Sequence, residues 1–130
     1  MASAFAAGAE AIQMGTRFVS SVESPVHDNF KNTIKDAGTD GTYILNKSSK
    51  PVIRALKTEF TKEIYEKGSM SMGDLSKIKD LYFDGDMNAA PALAGQSSGL
   101  INEIKSVKNI IDETINEYNQ TCIDLSKNLF

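Results

Sequence analysis

The sequence predicts an α/β chain in which one short strand is accompanied by several amphipathic helices. The strand is predicted at 9–14, where a short apolar stretch leads directly into a Gly-Thr turn. Apolar residues at every third or fourth position predict helices elsewhere, and the longest such series covers 104–129. A single strand cannot pair its own backbone, and each buried unpaired N–H or C=O costs about 1–3 kcal/mol. We therefore expect partner strands, either at 42–45 or in sequence outside this chain.

Capping residues and glycines set the bounds of the helices predicted in the first third of the chain. An alanine-rich helix over 2–7 is expected to end at Gly8, which tolerates the left-handed backbone common at helix C-termini. Ser24 is a good N-cap and Pro25 suits the first helical position. The next helix is therefore predicted to begin at this pair and to end at Gly38.

The middle of the chain predicts one strand and three helices. The β-rich composition of 42–45 favours a short strand. Helices are predicted over 51–68, after a Ser-Lys-Pro start, and over 74–83, after a capping aspartate. The segment 89–101 is rich in small side chains, which predicts a helix packed closely against another helix or against a flat, bulky group.

The last segment carries the longest periodic pattern and predicts a helix of about seven turns. This helix could cover the outside of a larger fold, or it could pair with a second copy of the chain. The apolar positions follow one face: Ile104, Val107, Ile111, Ile115, Tyr118, Cys122, Leu125 and Leu129.

Composition excludes several classes of protein. A net charge of −3 with dispersed Lys and Glu residues argues against a nucleic-acid binder or a polybasic membrane segment. No stretch approaches the roughly 20 apolar residues that a membrane span needs. The single cysteine, Cys122, excludes an internal disulfide framework and fits a reducing, cytoplasmic compartment. Its place on the apolar stripe predicts a core position rather than a nucleophile.

No metal site is predicted. Asp84, Gly85 and Asp86 begin like a calcium loop, but the calcium-binding pattern requires a Glu at its twelfth position, where this chain has Gly95. A turn is the expected structure of this segment.

The Gly-Thr turn after the predicted strand is the candidate binding site. Gly15 lacks a Cβ and allows close approach of another group, and Thr16 offers a hydroxyl. The amides of Gly15, Thr16 and Arg17 would open a short helical turn, which is a suitable place for phosphate. An ordinary turn is the alternative that the residues alone leave open.

Three blocks of sequence, in the same order, resemble the C-terminal part of the nitronate monooxygenase family, formerly called 2-nitropropane dioxygenase. The first is the run Ala-Ser-Ala-Phe-Ala-Ala-Gly-Ala-Glu-Ala-Ile-Gln-Met-Gly-Thr-Arg-Phe-Val at 2–19, followed by Glu-Ser-Pro-Val-His-Asp-Asn-Phe-Lys at 23–31. The last comprises Gly-Asp-Met-Asn at 85–88 and Ala-Gly-Gln-Ser-Ser-Gly-Leu-Ile at 94–101. The family includes FMN-dependent enoyl-acyl-carrier-protein reductases.

The resemblance implies a C-terminal fragment of a (β/α)₈ TIM barrel that binds FMN. It assigns 1–22 to the end of the seventh helix, the eighth strand and the phosphate turn, and 23–130 to a mainly helical closing region. The implied cofactor-binding residues are Gln13, Met14, Gly15 and Thr16. Gln96 and His27 are implied to lie near the flavin or the substrate. No residue matches the family's catalytic base, so none is predicted.

The resemblance implies oxidation of alkyl nitronates with O₂, by a full-length protein that binds FMN and a small-molecule substrate. An enoyl-acyl-carrier-protein reductase that uses FMN and a nicotinamide cofactor is the first alternative. A non-enzymatic helical domain that binds a partner through its last helix is the second. The chain alone is expected to be inactive and to form homo-oligomers through its exposed apolar stripes.

Overall fold

A computed structural model describes residues 1–127. Short helices and turns surround one two-stranded sheet, and a long helix closes the described part of the chain. In order, the elements are α1 (Ala2–Ala6), α2 (Thr16–Val19), α3 (Asp28–Asp36), β1 (Thr42–Leu45), β2 (Ile53–Leu56), α4 (Glu59–Lys67), a 3₁₀ helix (Met72–Leu75), a π-helical turn (Asp80–Asp84), a second 3₁₀ helix (Gln96–Leu100) and α5 (Val107–Ser126).

The sheet is an antiparallel hairpin that gains a third segment on one side. β1 and β2 pair with Tyr43 opposite Ala55. On the other side of β2, the Leu56 N–H donates to the Ala92 C=O at 2.8 Å, and the Ala94 N–H donates to the Arg54 C=O at 3.3 Å. β1 is therefore an edge strand, and the predicted strand at 42–45 is confirmed.

The main core lies between α3, β2 and the segment 78–101. Its centre is fully or almost fully buried and contains Phe30, Ile34, Leu56, Leu81, Ala90, Ala92, Ala94 and Ile101. A second, smaller cluster of Leu45, Ala55 and Ile64 packs α4 against the hairpin. Both clusters belong to the middle of the chain.

The helix predicted over 51–68 is wrong in its first half. Residues 53–56 form β2 instead, where they pair with β1 on one side and bond to residues 92–94 on the other. The loop before β2 is closed by the buried Asn46 side chain. Its Oδ1 accepts from the Ser49 hydroxyl at 2.5 Å, and its Nδ2 donates to the Pro51 C=O at 3.0 Å. The helix α4 begins only at Glu59, after the N-cap Thr58, and ends as predicted at Gly68, whose φ is 77°.

The start predicted for α3 is also wrong. The helix begins at Asp28 rather than at the Ser24–Pro25 pair, and it ends at Asp36, before Gly38. The N-cap is His27, whose Nδ1 accepts the Asn29 N–H at 3.1 Å.

The two helices predicted over 74–83 and 89–101 do not form as regular α-helices. The first contains the 3₁₀ helix Met72–Leu75 and the π-helical turn Asp80–Asp84, which ends at Gly85 with φ 76°. The second runs extended beside β2 and then forms the 3₁₀ helix Gln96–Leu100. Its alanines Ala90, Ala92 and Ala94 are buried in the main core beside Leu56 of β2.

The strand predicted at 9–14 is absent. This segment has no hydrogen-bonded neighbour strand within residues 1–127, and most of its side chains are exposed. A strand needs a partner for its N–H and C=O groups, and the only described sheet is the β1–β2 hairpin. The Gly-Thr turn does open a short helix, α2, and Gly8 ends α1 with φ 92°, both as predicted.

The apolar stripe of α5 is largely uncovered. Ile110, which is not on the predicted stripe, is the buried residue of the helix, whereas the stripe residues Ile111 and Ile115 are 42% and 45% exposed. Cys122 is exposed, so its predicted core position is wrong. α5 contacts α1, where Phe5 meets Tyr118 edge to face at 5.3 Å, and it also contacts α2. The N–H of its first residue, Val107, donates to the Glu23 carboxylate at 2.9 Å. Leu129 lies outside the described residues.

Candidate functional site

The predicted turn lies on the wall of a cleft of about 710 Å³. We call it the first cleft. Its walls come from the turn at 13–17, from the second 3₁₀ helix (Gln96–Leu100) with the residues on either side of it, and from the first turns of α5. Gln13, Met14, Gly15 and Thr16 all line it, so the structure brings these four predicted site residues together.

Three backbone amides at this turn are free to bind a ligand. Gly15 is the N-cap of α2, with φ −92° and ψ −72°. The N–H groups of Gly15, Thr16 and Arg17 make no hydrogen bond within the part of the chain that the structure describes. The start of a helix leaves its first N–H groups without intrahelical partners, and such groups favour anions.

The side chain of Thr16 joins this turn to the 3₁₀ helix. Its Oγ1 accepts the Gly95 N–H at 2.8 Å, which leaves the hydroxyl hydrogen available for a ligand. The Ser98 hydroxyl then donates to the Gly95 C=O at 2.7 Å. Sequence reasoning did not name Gly95 as a member of this site, although Gly95 lies within the 94–101 block that carries the resemblance.

Two glycines of the site region differ in what surrounds them. A Cβ added to Gly15 would meet no atom within 4 Å, so its backbone faces open space in the cleft. A Cβ added to Gly99 would lie 2.7 Å from the Gly38 C=O oxygen and from Thr39 Cα. Gly15 therefore leaves room for a ligand, whereas Gly99 lets two backbone segments pack together.

The charged side chains on the lining of the first cleft are two cations and three carboxylates: Arg17, Lys105, Glu103, Glu113 and Glu117. Arg17 donates through Nη1 to the Glu103 C=O at 2.8 Å. The Lys105 ammonium contacts the carboxylates of Glu103 at 2.6 Å and Glu113 at 2.8 Å. The hydrogen bonds that the Lys105 ammonium donates to Glu103 and then to Glu113 raise the pKa of Lys105 above its ordinary value. An anion in this cleft would therefore be held mainly by amides and the Thr16 hydroxyl.

His27 and Gln96 are not brought into the first cleft. His27 caps α3, and its ring covers Gly85 so closely that an added Cβ there would lie 2.2 Å from Nδ1. The Asn29 side chain fastens the same turn by donating to the Gly85 C=O at 2.9 Å. Gln96 is exposed and borders a second cleft of about 460 Å³ beside β1. Its neighbours Gly95 and Ser97 line the first cleft, so Gln96 lies between the two.

Residues 1–127 contain neither a metal-ligand cluster nor a helix that could span a membrane. Among residues 1–127 there is no group of three or more His, Cys, Asp or Glu side chains suited to a metal ion. No helix of that part of the chain combines the length and hydropathy needed to cross a bilayer.

Comparison with known families and solved structures gives consistent matches. A family profile described as nitronate monooxygenase matches residues 1–117. FabK from Thermotoga maritima superposes with a TM-score of 0.89 at 37% identity, over 99% of this chain and 43% of that protein. Its M276A mutant gives 0.85 at 41% identity, over 99% of this chain and 41% of that protein.

A curated relative is more distant. It is the (3aS,4S,5R,7aS)-5-hydroxy-7a-methyl-1-oxo-octahydro-1H-indene-4-carboxyl-CoA dehydrogenase of Mycobacterium tuberculosis, which is 32% identical over 80 residues. That match covers 62% of this chain and 22% of the dehydrogenase. The chain thus spans less than half the length of each of these proteins.

Proposed function

Because the chain belongs to the nitronate monooxygenase family, we propose that it carries the phosphate-binding turn of an FMN-dependent oxidoreductase that oxidises alkyl nitronates with O₂. Its fold corresponds to part of the (β/α)₈ barrel of this family. The observation that carries the proposal is the set of unpaired amides at Gly15, Thr16 and Arg17, which open onto the first cleft.

The residues present fit the phosphate end of FMN. Three N–H groups and the Thr16 hydroxyl are unpaired donors on one turn, and Gly15 presents bare backbone to open space. Phosphate sites of such barrels commonly lie in the loops after the seventh and eighth strands. FMN would supply the redox chemistry. The role of this chain would be to hold and orient the phosphate, with Gln13 and Met14 forming the wall beside it.

The same arrangement explains why we propose that residues 1–130 alone are inactive. Each hydrogen bond to a charged group contributes about 1.5–3 kcal/mol, and association costs at least about 4 kcal/mol. Three or four such bonds sum to about 4.5–12 kcal/mol, and an association cost of about 4–15 kcal/mol cancels most or all of that gain, so we do not expect one exposed turn to retain FMN. We expect the purified chain to be colourless after dialysis against FMN and to turn over neither nitronates nor enoyl thioesters. A yellow preparation with nitronate-dependent oxygen uptake would contradict this.

A chimera tests the phosphate site directly. Residues 1–130 replace the aligned part of Thermotoga maritima FabK, and FMN affinity is measured by fluorescence quenching. Gly15→Val should weaken FMN binding strongly, because its side chain would enter the space left for the phosphate. Thr16→Ala should cost about 1.5–3 kcal/mol of binding free energy, the contribution of one hydrogen bond to a charged group.

The matched control is Gly73→Val, a glycine outside the first cleft whose added Cβ would only touch the Ser71 hydroxyl at 3.4 Å. This variant should bind FMN like the parent chimera. Equal affinities for the parent, Gly15→Val and Gly73→Val chimeras would remove the turn from the site.

An enoyl-acyl-carrier-protein reductase is the second candidate, and the similarity to FabK favours it. FabK is an enoyl-acyl-carrier-protein reductase of this family. The discriminating observation is which compound bleaches the flavin of the complete flavoprotein under anaerobic conditions. Bleaching by an alkyl nitronate alone supports the first candidate. Bleaching by a nicotinamide cofactor, with reoxidation by an enoyl thioester, supports the second.

A further inference from the structure

The outer edge of β1 carries backbone groups that no part of the described chain uses. Arg54 and Leu56 direct their backbone hydrogen bonds towards residues 92–94, and the Lys57 N–H donates to the Gly41 C=O at 2.9 Å. In an antiparallel ladder these bonds alternate along a strand. The residues opposite Arg54 and Leu56, which are Ile44 and Thr42, therefore direct their N–H and C=O groups away from β2. These groups make no hydrogen bond within residues 1–127.

Cations flank this edge on both faces of the sheet. Arg54 is on the face of Thr42, whose Oγ1 accepts its Nη1–H at 2.8 Å. On the other face, Tyr43 and Tyr65 stack at 4.5 Å. The Lys57 ammonium lies 5.2 Å from the centre of the Tyr43 ring, and the Lys47 ammonium lies 4.9 Å from that of Tyr65. Arg54, Lys47 and Lys57 all line the second cleft.

The charges of the second cleft are unbalanced, although the whole chain carries a net charge of −3. Lys47 and Arg54 have no carboxylate within ion-pair distance in the described part of the chain. Lys57 contacts Asp40 at 3.0 Å, and Asp40, whose side chain is 89% exposed, is the only carboxylate on the lining. The cleft therefore offers three cations and one carboxylate.

We propose that the edge of β1 binds an extended, acidic segment of a partner protein by strand addition. An added strand would take hydrogen bonds from the Thr42 and Ile44 backbone. Its side chains alternate between the two faces. Acidic residues on one face would meet Arg54, and those on the other would meet Lys57 and Lys47.

Two observations favour this partner over others. The lysines lie on the outer sides of the stacked rings, so the cations are spread along the strand rather than gathered around one small anion. Pairing of β1 with the same edge of a second copy would bring cations of both copies together, and edge lysines disfavour that association. The proposal uses no residue of the first cleft and does not depend on the flavin.

The test uses residues 1–130 and a fluorescein-labelled acidic peptide of about eight residues, with Glu or Asp on both faces of the extended strand. Fluorescence anisotropy should show binding that weakens as NaCl increases. Arg54→Gln, Lys47→Gln and Lys57→Gln should each raise the Kd about two- to fivefold. Lys62→Gln on α4 and Lys77→Gln, both exposed and outside the cleft, are matched controls and should leave the Kd within about twofold.

Backbone pairing is tested without altering the protein. The same peptide with N-methyl groups on the amides that face β1 should bind at least about tenfold more weakly, because it can no longer donate to the edge. Equal binding of the methylated peptide would overturn strand addition. Absence of binding at millimolar peptide would overturn the proposal as a whole. Complete displacement by inorganic pyrophosphate at matched ionic strength would also overturn it, and would make the cleft a small-anion site.

Discussion

The middle of the chain, from Phe30 to Ile101, and the two ends that flank it differ sharply in how they use apolar side chains. The buried hydrophobic residues of the described chain lie in the middle, with the single exception of Ile110. The ends also carry regular apolar stripes, yet Ile111, Ile115 and Ile123 remain exposed. The middle thus builds its own core, whereas the apolar stripe of α5 stays largely exposed and segment 9–14 has no partner strand within residues 1–127.

The candidate phosphate site lies where these two regions meet. Thr16 belongs to the first end, and Gly95, which it binds at 2.8 Å, belongs to the middle. Ile110 and Glu113 of α5 complete the wall. The turn is thus positioned by a well-packed region on one side and a sparsely packed one on the other.

The largest difference should appear when the same substitution is made in both regions. Ile34→Ala removes a fully buried side chain and should lower the free energy of unfolding by about 2–5 kcal/mol. Ile115→Ala on α5 should change it by less than about 0.5 kcal/mol. Urea unfolding followed by circular dichroism measures both. Equal losses would show that α5 is packed after all.

A second difference concerns glycines. Gly99→Ala should cost about 1–3 kcal/mol, because its Cβ would press on the Gly38 and Thr39 backbone. Gly15→Ala should leave the melting temperature almost unchanged, since its surroundings are open and its φ is negative. Thermal melts of the two variants provide the measurement. A stable Gly99→Ala protein would mean that the middle is packed less tightly than the structure indicates.

A smaller change in the free energy of unfolding is expected when the hydrogen bond between Thr16 and Gly95, which joins the two regions, is removed. Thr16→Val keeps the shape of the side chain but cannot accept the Gly95 N–H, and should cost about 0.5–1.5 kcal/mol. Thr16→Ser should retain most of that contribution. Thr121→Val on the exposed face of α5 is the control and should have little effect. If Thr16→Ser were as damaging as Thr16→Val, the methyl group of Thr16 would contribute as much as its hydroxyl, and the hydrogen bond would not be the main link between the regions.

The smallest effect is a dependence of stability on alkaline pH. The ion pairs with Glu103 and Glu113 raise the folded-state pKa of Lys105 above its ordinary value of 10.5. Its contribution should therefore be complete below pH 10.5 and should be lost as the pH rises through the folded-state pKa. As the pH rises above 10.5, the urea concentration at the unfolding midpoint should fall less for Lys105→Met than for the parent. Lys62→Met, which has no such ion pair, should follow the parent curve.

Local signals in the sequence predicted local structure well. Gly8 and Gly68 end helices as expected, 42–45 is a strand, and the Gly15–Thr16 turn opens a helix. The four residues 13–16 also line one cleft, because they are contiguous and need no distant partner to lie together.

The predictions that were wrong concern features that depend on contacts between residues distant in sequence. The stretch 9–14 has the composition of a strand, but a strand exists only where another one pairs with it. The stripe of α5 predicts a buried face, but periodicity shows which side chains share a face and not whether anything covers it. Gly95 was missed because its link to Thr16 is a tertiary contact that no local pattern records.

Hydrogen exchange of the backbone amides of residues 1–130 tests the difference between the two regions most directly. We expect amides of α3, β2 and α4 to exchange only through global unfolding, whereas those of α1, 9–17 and 111–125 should exchange through local opening at far lower free energy. The chimera with Thermotoga maritima FabK should protect the same end segments, because the barrel supplies their missing neighbours. Protection of α5 in the isolated chain equal to that of α3 would contradict the account.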